Sequence, residues 1–131
     1  MKRVVCVEGD GGFYLNIQDL ATIRGLGLPI KMFVLNNDGY ASMRTSNEKW
    51  FGRKFGADEE SGLHLPNLAP IVFGFGLSYA LLSGHENLES QVRDVLRMNG
   101  PVVCEVPSPP YELRPPAPVS PSNWVPTPKF Q

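Results

Sequence analysis

The patterning of this chain predicts an α/β domain, a parallel sheet flanked by helices, and three observations carry that reading. Short apolar, β-branched runs alternate with helical stripes along most of its length. Two of those runs end in loops of ligand-type residues, Gly9-Asp10-Gly11 and, after 24 intervening residues, Asn36-Asn37. Finally, 131 residues with 42% hydrophobic content suffice for one core and for one domain at most.

The elements follow in order. Residues 2–8 (with Val4-Val5-Cys6-Val7) are a short β-branched run, predicted as a strand buried on both faces. Phe13, Leu15, Leu20 and Ile23 make a helical stripe over 13–25, and Gly25 and Gly27 stop it. Pro29 opens a second strand at 30–35. Residues 38–63 are expected to be irregular, punctuated by glycines and anchored by Trp50, Phe51 and Phe55. A short helix is expected at 66–73, with Pro66 in its first turn, then a strand at 77–82. Residues 86–98 read as an amphipathic helix with Leu88, Val92, Val95 and Leu96 inward, closed by Asn99-Gly100. A last strand follows at 102–106. The β-α-β alternation implies parallel pairing with right-handed crossovers. Nine of the 13 prolines lie from Pro107 onward. That density forbids helix or inner strand, so residues 107–131 are expected to form an extended arm after a domain spanning 1–106. Either it is a disordered tail, or it wraps a partner subunit with Tyr111, Trp124 and Phe130 as anchors.

Charge and composition exclude several functions. A net charge of −1 leaves no footprint for nucleic acid or anionic membrane. No apolar run approaches the roughly 18 residues of a membrane span, and the N-terminal run is too short for a signal peptide. Cys6 and Cys104 lack metal spacing and are expected to be small buried core residues; a cytoplasmic protein fits. His64 and His85 are isolated, Ser42 and Ser46 have no nearby base in sequence, and Asp58-Glu59-Glu60 reads as a solvated loop. Arg53 and Lys54 are either a solvated basic pair or groups that reach a substrate carboxylate or sugar phosphate.

The chemistry concentrates at the two strand ends. In a parallel sheet such ends lie side by side at the carboxyl edge, where ligands bind. Gly9 is expected to let the chain turn, with Gly11 and Gly12 leaving room for a ligand to approach backbone N–H groups. The following helix would aim its positive end at the same place. Asp10 supplies one carboxylate, Asn37 one amide oxygen, and Gly39 a main-chain carbonyl. Oxygen donors without imidazole or thiolate suit Mg²⁺ or Ca²⁺ rather than Zn²⁺. With a single protein charge, two diphosphate oxygens and a water can complete an octahedron. Each loop alone is ordinary turn chemistry; the pair, each after a strand and separated by one helix, is far more specific.

The stretch GDGGFYLNIQDLATIRGLGLPIKMFVLNNDGYASMR resembles the diphosphate-binding signature of thiamine-diphosphate-dependent enzymes, GDG followed some two dozen residues later by NN. The GF-x-x-N-I-Q-D-L-A-T helix start, the L-P-I-K strand entry and NNDGY resemble the acetolactate-synthase-like branch. Residues 51–69 look like its sugar- and polysaccharide-cluster relatives. The likeness covers roughly residues 3–107. It implies a flavodoxin-like diphosphate-binding domain in which Asp10, Asn37 and the Gly39 carbonyl ligate Mg²⁺. The Gly11 and Gly12 N–H groups would hold the diphosphate, Gly9 would belong to the same cofactor-binding loop, and Tyr40, Ala41, Ser42 and Met43 would run along thiamine diphosphate. It also implies the family's reaction, decarboxylation of a 2-keto acid with transfer of the remaining fragment to a second carbonyl. In that family a pyrimidine-binding domain, usually from another subunit of an oligomer, supplies a glutamate to the cofactor.

Two departures stand out. Neither the pyrimidine-binding domain nor the strand-helix portion that normally precedes GDG can be mapped here. The chain is therefore expected to be an N-terminally truncated piece or a split subunit, with an unpaired apolar sheet edge, and to be inactive alone. Glu8 stands where the family usually has a small or uncharged residue. Facing the phosphates at about 5 Å it would cost on the order of 3 kcal/mol; a turn at Gly9 is expected to send it toward solvent, Arg3 or Lys31. Two rival readings remain: a non-catalytic binding or interaction module that keeps the fold, and an unrelated phosphate binder that takes nucleotides or FMN without a divalent ion.

Overall fold

A computed structural model describes residues 2–111; the positions expected to anchor an arm at Trp124 and Phe130 lie outside the described residues. Among the described residues, four strands form one parallel sheet in the order β1-β2-β4-β3: β1 (Val4–Gly9), β2 (Ile30–Asn36), β3 (Ser78–Leu81) and β4 (Val102–Pro107). The α/β class and the parallel sheet are as the alternation predicts. The α-helices of the described residues are α1 (Asp10–Leu15), α2 (Asp19–Gly25), α3 (Ala41–Phe51), α4 (Leu68–Gly74) and α5 (Leu88–Arg97). Among the described residues, no helix is long and apolar enough to cross a membrane.

Strand alternation divides the core between the two sheet faces. On one face Val34 and Val103 pack with Phe13 of α1, Leu20 and Ile23 of α2, and Leu68 and Val72 of α4. On the other, Phe33, Val102 and Cys104 pack with Val95 of α5. The register pairs Val5 with Lys31 and Val7 with Phe33, on the α5 side of the sheet. Among the described residues no helix reaches across to β1 on that side, so Val5 and Val7 are 52% and 63% exposed. This corrects the expectation of a first strand buried on both faces: the sequence pattern matches a buried strand, but β1 is an edge. Cys6 is likewise only half-buried, whereas Cys104 is fully buried. Burial, then the adjacent Glu105 charge, push the Cys104 thiol up to about 11. One of the two thiols is therefore expected to react quickly with an aromatic disulfide reagent at pH 8; two fast thiols in the native chain would contradict this packing.

Three element boundaries differ from expectation. The helix foreseen at 13–25 is two helices, because successive i→i−3 bonds (Asn16 to Phe13, Asp19 to Asn16, Leu20 to Ile17) tighten the chain between them. Pro66 precedes α4 instead of opening it, and its carbonyl accepts from the Tyr14 hydroxyl. Residues 41–51, expected to be irregular, form α3. Its apolar residues Met43, Trp50 and Phe51 are exposed and its one buried residue is Arg44, so no apolar stripe announces it. Gly52, at φ +65°, closes it with an N–H bond to the Glu48 carbonyl. In α5, Val95 is buried and Val92 and Leu96 are half-buried, but Leu88 at the helix start is exposed.

A buried lysine serves the same architecture. Lys31 is 2% exposed, and its Nζ donates to the Met98 and Gly100 carbonyls at 2.5 and 2.6 Å, tying the turn after α5 to the start of β2. Burial, then Arg3, hold its pKa below the ordinary lysine value.

Candidate functional site

Parallel pairing sets Gly9 opposite Leu35, so the chain leaves β1 and β2 at the same edge and Asp10 meets the loop after β2. The Asp10 side chain is 2% exposed. Its Oδ1 accepts from the Gly11 N–H at 2.7 Å, and its Oδ2 accepts from the N–H groups of Asn37 and Gly39, each at 3.0 Å. A carboxylate offers about four lone-pair directions; three are engaged by these donors, leaving one. The Asn37 Oδ1 accepts from the Arg44 guanidinium at 2.6 Å, again leaving one of its two acceptor directions.

These residues border a cleft of about 440 Å³. From the first strand end it is lined by Gly9, Asp10, Gly11 and Gly12, and from the second by Asn37, Gly39, Tyr40, Ala41, Ser42 and Met43, with Leu15 added. All ten positions singled out from the sequence thus share one cavity, and Leu15, 71% exposed in the last turn of α1, is the addition. Because α1 begins at Asp10 and α3 at Ala41, both loops lead directly into helices beside the cleft.

The glycines act differently from expectation. Gly9 has ordinary extended backbone (φ −80°, ψ 158°) and open space where a Cβ would stand, so the turn does not need it. Beside Gly11 the Tyr40 ring occupies the position of a Cβ, with ring atoms 2.3 Å from it, and beside Gly12 the Glu8 carboxylate does the same at 2.3 Å. The absent side chains are filled by protein rather than left as free space. Gly39 is the position that geometry demands: φ is +140°, and a Cβ would stand 2.3 Å from the Ala57 carbonyl oxygen. That same oxygen accepts the Tyr40 N–H at 2.8 Å.

Glu8 does not line the cleft. It is exposed, its Oε1 accepts from the Gly9 N–H at 3.1 Å, and it borders a separate cavity of about 170 Å³ with Cys6, Phe13 and Met32. The solvent-facing expectation holds; Lys31, engaged at the other end of β2, is not its partner.

Other groups sort themselves by contact. Lys54 is no solvated cation: its Nζ bonds Asp58 at 2.7 Å, Glu60 at 2.8 Å and the Tyr111 hydroxyl at 2.7 Å. The Asp58 and Glu60 bonds come first in holding its pKa above the ordinary lysine range. Asp58 is buried, contrary to the expected solvated loop, because it caps the short 3₁₀ turn Glu59–Ser61 through Ser61; Lys54, then Ser61, hold its carboxyl below the usual range. Arg53 lies over the Phe55 ring at 4.4 Å. His64 and His85 are exposed, and no group of three His, Cys, Asp or Glu side chains is arranged for a metal among the described residues. The candidate cation ligands instead mix one carboxylate with neutral oxygens.

Sequence reading missed two features. Asn36 Nδ2 and the Tyr79 hydroxyl donate to the Glu105 carboxylate at 2.6 and 2.5 Å, pinning the ends of β2, β3 and β4. Nearby, burial, then Glu105 and Asp10, push the Tyr14 phenol up to about 12, so it remains a donor. The second is Arg44, which reaches Asn37 across seven residues; recognising α3 was the signal needed to find it.

Comparison with known proteins agrees with this geometry. The family described as "Thiamine pyrophosphate enzyme, C-terminal TPP binding domain" matches residues 1–106. The acetolactate synthase large subunit of Porphyra purpurea is 30% identical over 107 residues, covering 80% of this chain and 18% of the relative. The acetolactate synthase isozyme 2 large subunit of Escherichia coli is 26% identical over 103 residues, covering 79% and 18%. Among solved structures, a putative thiamin diphosphate-dependent enzyme from Mycobacterium smegmatis superimposes with a TM-score of 0.65 at 29% identity, covering 84% of this chain and 19% of that one. A thiamine diphosphate-dependent 4-hydroxybenzoylformate decarboxylase from Rhodococcus jostii shares the fold, with a TM-score of 0.71 at 20% identity over 82% and 20% of the two chains. The chain thus spans about a fifth of the relatives it matches, the portion that in this family binds the cofactor. With the paired loops, the parallel sheet and the match over residues 1–106 in agreement, this chain belongs to the C-terminal thiamine-pyrophosphate-binding domain family of thiamine-diphosphate-dependent enzymes, in its acetolactate-synthase-like branch.

Proposed function

We propose that this chain holds thiamine diphosphate through Mg²⁺ as part of a 2-keto acid decarboxylase or carboligase similar to acetolactate synthase, acting with a pyrimidine-binding domain or subunit in an oligomer. One observation carries the reading: the buried Asp10 carboxylate and the Asn37–Gly39 loop are hydrogen-bonded to each other at the wall of one cleft. The donor chemistry fits the ion. Asp10 and the Asn37 amide each keep one free acceptor direction, and the Gly39 carbonyl adds a third oxygen, a hard and nearly neutral set. A divalent ion held by one carboxylate retains net positive charge for a diphosphate.

Thiamine diphosphate, when bound, supplies the electron sink that lets a 2-keto acid lose carbon dioxide. This chain's residues bind and orient. Asp10, Asn37 and Gly39 would hold the ion, Gly9, Gly11 and Gly12 would border the diphosphate, and Tyr40, Ala41, Ser42 and Met43 would form the wall along the cofactor. The exposed Trp50, Phe51, Val5 and Val7 support a partner surface.

Calorimetric titration of thiamine diphosphate into the chain tests the proposal. Binding is expected with Mg²⁺ and not with EDTA, and the chain without a pyrimidine-binding domain is expected to turn over no pyruvate. Metal-independent binding of FMN or nucleotides would replace the metal-site reading with a simple phosphate binder. Pyruvate turnover by the chain alone would remove the need for a second domain.

A further inference from the structure

Arg44 is the one buried residue of α3, 3% exposed. Burying a guanidinium costs several kcal/mol unless its surroundings compensate, and an apolar side chain would fill the same helix face without that penalty. Among the described residues no carboxylate lies within ion-pair distance of it. Its charge is met by neutral oxygens of one loop: Nη2 donates to the Asn37 carbonyl at 2.8 Å and to Asn37 Oδ1 at 2.6 Å, and Nη1 to the Asp38 carbonyl at 3.3 Å. The Tyr111 ring lies 5.6 Å from the guanidinium carbon, within cation–π range. Nε is buried with no hydrogen-bond partner among the described residues.

We infer that Arg44 is a positioning residue for the cation ligands of the proposed site, an inference that rests on the metal-site reading above. The loop is held from two sides by complementary chemistry: Asp10 takes its N–H groups, and Arg44 takes its oxygens. A guanidinium only donates, so its bond to the Asn37 amide decides which way that amide lies. Oδ1 is forced toward Arg44 with one acceptor direction remaining, and the NH₂ group, useless to a cation, is turned away from that bond. Two bonds to one residue and a third to the next also fix the peptide before Gly39, whose carbonyl is the third ligand. The guanidinium repels a bare divalent ion, and the diphosphate's charge offsets that repulsion. The ordering effect therefore dominates when cofactor and metal bind together.

The test is a double-mutant cycle on the full 131-residue chain, reading Mn²⁺ affinity by electron paramagnetic resonance at saturating thiamine diphosphate, with circular dichroism to confirm folding. Arg44→Met is expected to weaken Mn²⁺ about tenfold or more, the range for partners that orient metal ligands. In an Asn37→Ala background the same change is expected to have a distinctly smaller effect, about threefold, because the amide it orients is gone while its bonds to the Asn37 and Asp38 carbonyls remain. Arg44→Lys, which keeps the charge and one donor, is expected to recover part of the loss, and it carries the cycle if the Met variant fails to fold. Equal losses in both backgrounds, with Asp10→Ala still abolishing metal-dependent binding, would overturn the positioning role and leave the metal site standing. Metal-dependent binding untouched by Asp10→Ala would overturn both.

Discussion

Replacing Asp10 with alanine is expected to abolish Mg²⁺-dependent binding of thiamine diphosphate and to destabilise the chain by on the order of 3 kcal/mol. Both effects come from one side chain. Asp10 provides the only charge in the proposed ligand set, and it also satisfies three backbone N–H groups, those of Gly11, Asn37 and Gly39. Truncation leaves three donors at a site where the native side chain is 2% exposed, each costing about 1–3 kcal/mol if water cannot reach it; the open cleft beside them admits water and lowers the total. Asp10→Asn separates the two roles. The amide keeps an acceptor and the shape, so the fold is expected to lose only about 1–2 kcal/mol. The ligand charge is gone, and metal-dependent affinity is expected to fall about a hundredfold. Calorimetry with and without Mg²⁺ reads the second effect and urea denaturation the first. Unchanged metal-dependent affinity in Asp10→Asn would show that the ion, if one binds, sits elsewhere.

Gly39→Ala is expected to cost about 4 kcal/mol, combining backbone strain with steric overlap. At φ +140° an L side chain is strained wherever it points, and here its Cβ meets the Ala57 carbonyl oxygen at 2.3 Å. That oxygen cannot retreat cheaply, because it accepts the Tyr40 N–H and Ala57 is fully buried. On a domain of this size the loss corresponds to a melting temperature lower by about 20 °C. Gly9→Ala is the control. Gly9 has extended backbone and nothing within 4 Å of a Cβ, so its substitution is expected to shift stability by less than about 1 kcal/mol. Thermal melts that show the two variants alike would mean that the Gly39 turn is neither strained nor tightly packed.

Legibility followed the kind of information each feature needs. Strands β2 and β4 are readable because strands covered on both faces are apolar over most of their length, here with Lys31 and Glu105 as the charged exceptions. The same kind of run in β1 predicts burial, yet Val5 and Val7 are open. Apolar content reports what a strand is suited to bury and not whether anything covers it. The split between α1 and α2 was hidden because both helices contribute to one apolar face, through Phe13, Leu20 and Ile23, so the stripe runs on through the break. Helix α3 was invisible because it buries an arginine and exposes Trp50 and Phe51; it lacks the periodicity by which helices are recognised. Asp58 looks solvated in sequence because a charge run is the same whether or not a lysine four residues earlier folds back onto it.

Sequence alone established the alternation of strands and helices and the two oxygen-rich loops at strand ends, because chain order and residue chemistry are local properties. Ten residues that share the cleft are also legible in it, Tyr40, Ala41, Ser42 and Met43 only through the family resemblance. What tertiary structure decided was who touches whom: that Asp10 spends three acceptor directions on backbone N–H groups, that Tyr40 and Glu8 stand where Gly11 and Gly12 have no side chain, and that Arg44 grips the Asn37 amide. Those contacts join residues brought together by parallel pairing and helix placement. Their distances depend on the path of the whole chain, which no single stretch of residues encodes.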